Sequence, residues 1–401
     1  MPSSPARRLI LGYVLLNASS GVAVGMTQLA MPLFALHLGA SPPEIGMIRA
    51  VAGAGLLLTA IPAGFLNDRF GAAPMFHLGN AAGIVCCLML PAIDSLWLLL
   101  LALGAEGIAR SIKFNALSSS FYRALPVMGV DKVGWPRGSL SIGLGFAGPL
   151  LAGLLIARGD FVAVFMIAAA IQLVPSLIFF RLAPVHPRDD DRPKLALGFR
   201  GAARAYADVI AHRNVAVALG AEAIGAGGFC IFSTFIGVAA TSDLGFPAWT
   251  SALFIGAEGL AYILSLFLLG RLTQSRSYRE TALTGLGLVA LALTGVSLSS
   301  RLDLLMGFSA LLGVGLGVLN LVSSTRAATV PGEKGKVAAL FATAVSVGIV
   351  IGPIFAGFVA AMFGSRAVFI AFVPPCLLLA AFTARKQQAF PPEAEEAAEA
   401  A

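Results

Sequence analysis

The chain repeats itself. Gly148-Pro149-Leu150-Leu151-Ala152-Gly153 recurs as Gly352-Pro353-Ile354-Phe355-Ala356-Gly357, and Ala163-Val164-Phe165 recurs at the same offset of 204 as Ala367-Val368-Phe369. Asn115-Ala116-Leu117-Ser118-Ser119 pairs with Asn320-Leu321-Val322-Ser323-Ser324 at an offset of 205. Leu38-Gly39 pairs with Leu244-Gly245, and Gly64 with Gly270, at 206. Single matches among Gly, Ala and Leu arise easily by chance in an apolar sequence; matches that keep both order and offset do not. The fold must therefore offer two equivalent places for two similar halves running in the same sense.

Both halves are built for lipid. Hydrophobic residues make up 58% of the 401 positions and charged residues 12%, far from the quarter or so that a soluble domain carries. Crossing ~30 Å of hydrocarbon takes roughly 20 apolar residues in a helix. Such stretches lie near 9–34, 44–66, 75–93, 96–119, 138–157, 161–181, 214–236, 250–270, 280–299, 303–325, 337–361 and 366–384. The expected fold is an all-α polytopic membrane protein of twelve spans: a six-helix half over 1–181, a linker over 182–213, a second six-helix half over 214–385 and an acidic tail over 386–401. Many spans contain Gly or Pro, which membrane helices tolerate because neighbours re-satisfy the freed backbone groups. The short alternating segments of a membrane β-barrel are not seen.

Charge gives the orientation. Of 27 Lys and Arg residues, Arg158, Arg301 and Arg366 lie on one side, Arg49, Arg110 and Lys113 lie within spans, and all the others fall on the side of the termini and the linker. The positive-inside rule then predicts cytoplasmic termini in an inner (plasma) membrane. The formal net charge of +7 needs no nucleic-acid partner, because the basic residues sit where anionic lipid headgroups hold them. Met1–Arg8 is read as a basic start to the first span rather than a signal peptide. Within the linker, Asp189-Asp190-Asp191 marks a solvated part, and 199–204 reads equally as a basic surface helix or as plain linker. Cys86, Cys87, Cys230 and Cys376 all fall inside spans and read as apolar packing.

At the end of the second span stands Gly64-Phe65-Leu66-Asn67-Asp68-Arg69-Phe70-Gly71. With the twelve spans and the repeat, this resembles the major facilitator superfamily over nearly the whole chain. The resemblance implies alternating access by a secondary transporter, with Gly64, Asp68, Arg69 and Gly71 forming a cytoplasmic latch. The basic pair that usually follows is Ala72-Ala73 here, and the second-half counterpart carries Gln274 where the first has Asp68. Gly148-Pro149 is similar to the Gly-Pro motif of the superfamily's proton antiporters, with Ala152 replacing one Gly, which tilts the reading towards export. Gly148, Pro149, Gly352 and Pro353 also read as close-packing and bending positions on which the halves rock. Gly313-Val314-Gly315-Leu316-Gly317 superficially matches a dinucleotide loop, but no strand flanks it and packing is the reading.

Charges inside the membrane are the sharper signal, since each costs roughly 2.5–3.5 kcal/mol at a helix centre unless paired or wetted. Glu106, Arg110 and Lys113 are spaced i, i+4, i+7 and form one stripe on the fourth span. The resemblance places spans one, four, seven and ten around a central cavity. The candidate substrate ligands are Arg110, Lys113, Asn17, Gln28, Asn320 and Arg49, whose guanidinium and ammonium groups suit carboxylate or phosphate. For Lys113, snorkelling to headgroups is the competing reading; for Arg110, a structural pair with Glu106; for Arg49, an anchor at the outer interface. Glu222, Glu106 and Glu258 are the candidate proton carriers.

His37, His77, His186 and His212 are scattered without metal-ligand spacing, and no nucleophile elbow, P-loop or zinc-helix motif is present. No cofactor, metal or enzymatic activity is expected. The partners expected are a small-molecule substrate, protons and the lipid bilayer, with a monomer as the working unit. The favoured reading is a proton-coupled transporter of a small anionic or zwitterionic organic solute. Two alternatives stay open: a multidrug-type proton antiporter of amphipathic compounds, and a membrane scaffold or sensor that does not transport.

Overall fold

A computed structural model describes residues 4–128, 135–182, 213–269, 277–329 and 334–384. The expected surface helix at 199–204, nearly all of the linker, the second-half turn at 271–274 and the acidic tail lie outside these, as does the Asp68 side chain.

The twelve expected spans are all helices. They are α1 (Ser4–His37), α2 (Pro42–Phe70), α3 (Ala72–Met89, prolonged by a 3-10 turn at Leu90–Ala92) and α4 (Leu96–Met128). Next come α5 (Trp135–Ser141, a π segment Ile142–Ala147, then Gly148–Ile156) and α6 (Phe161–Leu182). The second half holds α7 (Arg213–Val238, ending in a π segment Ala239–Asp243), α8 (Thr250–Leu268) and α9 (Tyr278–Leu298). It closes with α10 (Leu302–Thr329), α11 (Lys334–Phe363) and α12 (Ala367–Ala371 and Val373–Ala384). No strand occurs among the described residues. Ten of these helices are long and apolar enough, over their described residues, to cross a membrane. α4 lies outside that group because Glu106, Arg110 and Lys113 interrupt its apolar half.

The helix ends follow from local chemistry. Gly39 and Gly245, matched by the repeat, have φ of 81° and 69°, a left-handed conformation that closes a helix and that side chains with a Cβ avoid. α2 opens on a capping box: the Ser41 amide donates to Glu44 Oε2 at 2.7 Å, and Pro42 takes the first helical position, where no amide is needed. Ser277 and Glu280 build the same device at the start of α9. The expected Asp68 turn is tighter than a loop, because Asp68 and Arg69 still belong to α2 and Gly71 alone, at φ 91°, joins α2 to α3.

Packing keeps the repeat. α2 lies on α4 as α8 lies on α10, and the two halves meet through α2 against α11, α5 against α8, and α1 against α7. Small residues make these seams: a methyl on Gly259 of α8 would collide with the backbone of Gly145 in α5, and one on Gly46 of α2 with the carbonyl of Pro353 in α11. With lipid tails as apolar as Leu, helix association rests on this close backbone approach rather than on a hydrophobic gain between helices. The glycines of 313–317 are packing positions as expected, Gly313 against the Glu258 carbonyl and Gly317 against Ser265.

The hydrophobic core divides unevenly. On the side away from the termini a single cluster joins the halves, with Met26, Phe34 and Ile48 of the first packed with Phe232, Phe235 and Phe369 of the second. Towards the termini the described buried residues form separate clusters, one around Leu16, Phe76 and Phe179 in the first half and one of Val215, Ala218 and Phe341 in the second. Among the described residues, the buried cluster that joins the halves therefore lies at the far end, while at the terminal end they touch through Gly138 of α5 and Phe267 of α8 without a shared buried cluster. Among the described residues, no atom lies within 4 Å of where a Cβ on Gly64, in the latch motif, would stand.

Candidate functional site

Four of the residues singled out by sequence converge on one cavity. It lies between α1–α4, is about 20 Å³ in volume and partly open to solvent, and is lined by Gln28, Arg49, Glu106 and Arg110 together with Thr27 and Cys87. All of its lining residues belong to the first half. Two of its lining residues also reach the second half, at α7: Gln28 Nε2 donates to Ser233 Oγ at 3.2 Å, and Arg49 Nη2 lies 3.9 Å from Cys230 Sγ.

The pair at the centre follows from helix geometry. Glu106 and Arg110 are one turn apart on α4, so their side chains meet on one face. Arg110 Nε donates to Glu106 Oε1 at 2.9 Å, and its Nη2 donates to Oε1 at 2.6 Å and Oε2 at 2.7 Å. The side chains keep 20% and 15% exposure, so the pair faces the cavity and is open to exchange with a solute. Arg49 stands across from it with its Nε buried and without a hydrogen-bond partner among the described residues. A buried donor left unmade is costly, and this one is a guanidinium whose planar fork fits a carboxylate or phosphate. Two guanidinium groups and one carboxylate give the cavity a positive balance.

Lys113 does not continue the stripe into the cavity. It is only 3% exposed, with Nζ 6.0 Å from the Phe76 ring centroid and 5.7 Å from that of Phe114, and it has no hydrogen-bond or ion-pair partner among the described residues. Gly79 of α3 sits against the Lys113 backbone, which brings α3 over this turn of α4 and covers the ammonium with aromatic faces. It neither lines the cavity nor snorkels to a headgroup. Asn17 is also elsewhere, donating to the Tyr13 carbonyl within α1 at 2.8 Å.

The remaining carboxylates lie within the second half. Glu222 Oε2 accepts from Ser323 Oγ at 2.5 Å, joining α7 to α10, and Ser323 also donates to the Asn320 carbonyl at 3.1 Å. Glu258 is 1% exposed on α8, with its Oε2 lacking a hydrogen-bond partner among the described residues. In the gating set, Arg69 is exposed over the Phe70 ring, Gly148 and Pro149 follow the π segment of α5, and Gly352 and Pro353 lie in α11 against α7 and α2.

Sequence reasoning missed Ser233 and read Cys230 and Cys87 only as apolar packing. For Ser233 the signal was present: Gln28 and Ser233 are 205 residues apart, the repeat offset itself. A residue and its repeat equivalent touch only near the axis that relates the halves, so a polar pair at that offset marks the axis. Cys87 and Cys230 carry no such mark.

The Major Facilitator Superfamily model matches residues 13–273 and again 223–401. The nucleoside transporter NupG, in a single-residue mutant form, superposes with a TM-score of 0.78 at 15% identity, covering 94% of this chain and 99% of that one. A bacterial homologue of the human lysosomal transporter Spinster, inward-facing and unoccupied, gives 0.71 at 16% identity, covering 95% and 97%. The human organic anion transporter MFSD10 gives 0.68 at 16% identity, covering 95% and 100%. No curated protein sequence matches the chain. The chain is a multi-pass membrane transporter rather than an enzyme, and it belongs to the Major Facilitator Superfamily.

Proposed function

We propose that the protein is a proton-coupled secondary transporter of a small anionic or zwitterionic organic solute, working as a monomer in the inner membrane by alternating access, with export the favoured direction. The observation that carries the cargo class is the chelated Glu106–Arg110 pair, lining one cavity with Arg49, whose buried Nε has no hydrogen-bond partner among the described residues. A cargo carboxylate competes with Glu106 for the Arg110 fork, and Arg49 supplies the second cation. The description of one fold neighbour as an organic anion transporter agrees with that chemistry. With cytoplasmic termini, the shared buried cluster at the far end supports an inward-facing arrangement. A thermal-shift screen of purified protein tests the reading, since a ligand stabilises the state that binds it. Di- and tricarboxylates should raise the melting temperature and lipophilic cations should not; stabilisation by the cations alone supports the multidrug alternative instead.

Glu222 is assigned the proton. It is buried, lies outside the cavity and accepts from the Ser323 hydroxyl, so its charge can change without breaking the cargo site. Glu222→Gln should preserve exchange of labelled cargo across vesicles within about twofold while uphill accumulation falls at least tenfold. Uphill transport at the wild-type level would move the coupling role to Glu106 or Glu258.

Orientation has its own test. An engineered Cys in the linker at 182–213 should resist membrane-impermeant thiol reagents in intact cells and react after permeabilisation. Ready labelling from outside would reverse the assigned sidedness.

A further inference from the structure

The two Gly-Pro helices, equivalent by repeat, are built differently. Gly143 and Gly348 occupy the same place: a methyl on Gly143 would strike the Ala18 carbonyl and Val22 amide, and one on Gly348 the Ala223 carbonyl and Gly227 amide. A methyl on Gly148 would next meet the Val22 carbonyl at 2.5 Å, and one on Gly352 the Gly227 carbonyl at 3.2 Å. These partners are themselves repeat equivalents on α1 and α7. Yet four residues separate the anchor glycines in α5 and three in α11. The added residue is taken up by the π segment Ile142–Ala147, where the Gly148 amide donates to the Gly143 carbonyl five positions back, while α11 stays α-helical from Lys334 to Phe363. The fall of the repeat offset from 205 at Asn115 to 204 at Gly148 records the same insertion.

The insertion also sits on a seam between the halves. Gly145, inside the π segment, lies backbone to backbone against Gly259 of α8. At the matching point of the other seam, Gly53 of α2 faces the Ile349 side chain instead. We propose that the π segment migrates along α5 during the conformational cycle and so releases the α5–α8 seam, whereas α11 moves as a rigid rod. Moving a π turn by one residue exchanges an i−5 backbone bond for an i−4 bond, with no bond lost overall. Each residue it passes turns about the helix axis by ~100° and shifts by ~1.5 Å. Gly145 then swings away from Gly259, and a side-chain-bearing neighbour takes its place against α8. The inference rests on the alternating-access reading, because the cycle is what displaces the bulge.

Deleting Phe146 gives α5 the spacing of α11 and tests the idea. The variant should fold, because α11 satisfies both glycine anchors with that spacing. Pairs of spin labels between the terminal-side ends of the two halves should then change from two distance populations in the wild type to a single one, the minor population falling at least tenfold. Both populations persisting at wild-type proportions would overturn the proposal. Hydrogen exchange of the wild-type protein is a second reading that needs neither cargo nor variant. A migrating bulge spreads fast exchange over 139–150 while the matching stretch of α11 stays protected. Fast exchange confined to 142–147 means a fixed bulge and overturns the proposal. This second reading holds if the deletion variant fails to fold, and it holds if the wild type shows only one distance population, a result that counts against alternating access itself.

Discussion

Arg110→Ala should abolish recognition of an anionic cargo. The substitution removes both arms of the fork that holds Glu106 and leaves that carboxylate facing the space the cargo occupies. A charge-assisted, bidentate contact contributes about 3 kcal/mol, so affinity should fall roughly a hundredfold. Repulsion from the uncovered Glu106 adds to the loss. Arg110→Lys keeps the charge without the planar fork and should recover only part, leaving a deficit of about tenfold. Binding of a labelled carboxylate to the purified protein measures both variants, and the melting temperature controls for folding. Wild-type binding and uphill transport by Arg110→Ala would make this a structural pair, and with Glu222→Gln equally active the multidrug reading would take its place.

The second large effect is expected at the seam. Gly259→Val places a branched side chain where the Gly145 backbone already stands, and backbone cannot step aside as a flexible side chain can. Overpacking of this kind costs about 1–3 kcal/mol in a well-packed interior. Here it also strikes one of the contacts that join the halves, so transport should fall more than tenfold and the melting temperature with it. Gly287→Ala is the control, because no atom lies within 4 Å of its Cβ position. Equal behaviour of the two variants would show that α5 and α8 need not touch for transport.

The repeat made the twelve-helix plan and the sealing contacts legible, because matched glycines such as Gly39 and Gly245 mark backbone geometry that other residues avoid. The Glu106–Arg110 pair was legible for an equally local reason: an i, i+4 spacing settles which side chains meet on one helix. Lys113 shows where that logic stops. Spacing assigns it to the stripe, but what covers a helix face is decided by its neighbours, here Gly79 and Phe76 of α3. The contacts of Gln28 and Arg49 with α7 depend on how far the halves have closed, and a linear pattern carries that only where the repeat offset happens to expose it.

The uneven core bears on how substitutions combine. Changes at distant sites without shared partners add in free energy, and changes within one packed unit do not. Leu16 and Phe341 belong to separate clusters at the terminal ends, so truncating both should destabilise by the sum of the single effects. Met26 and Phe235 share one cluster although they lie in different halves, so the first truncation alters what the second can lose. Among the described residues, compensation between the halves is thus expected within the shared far-end cluster and along the helix seams, and not between the two terminal-end clusters.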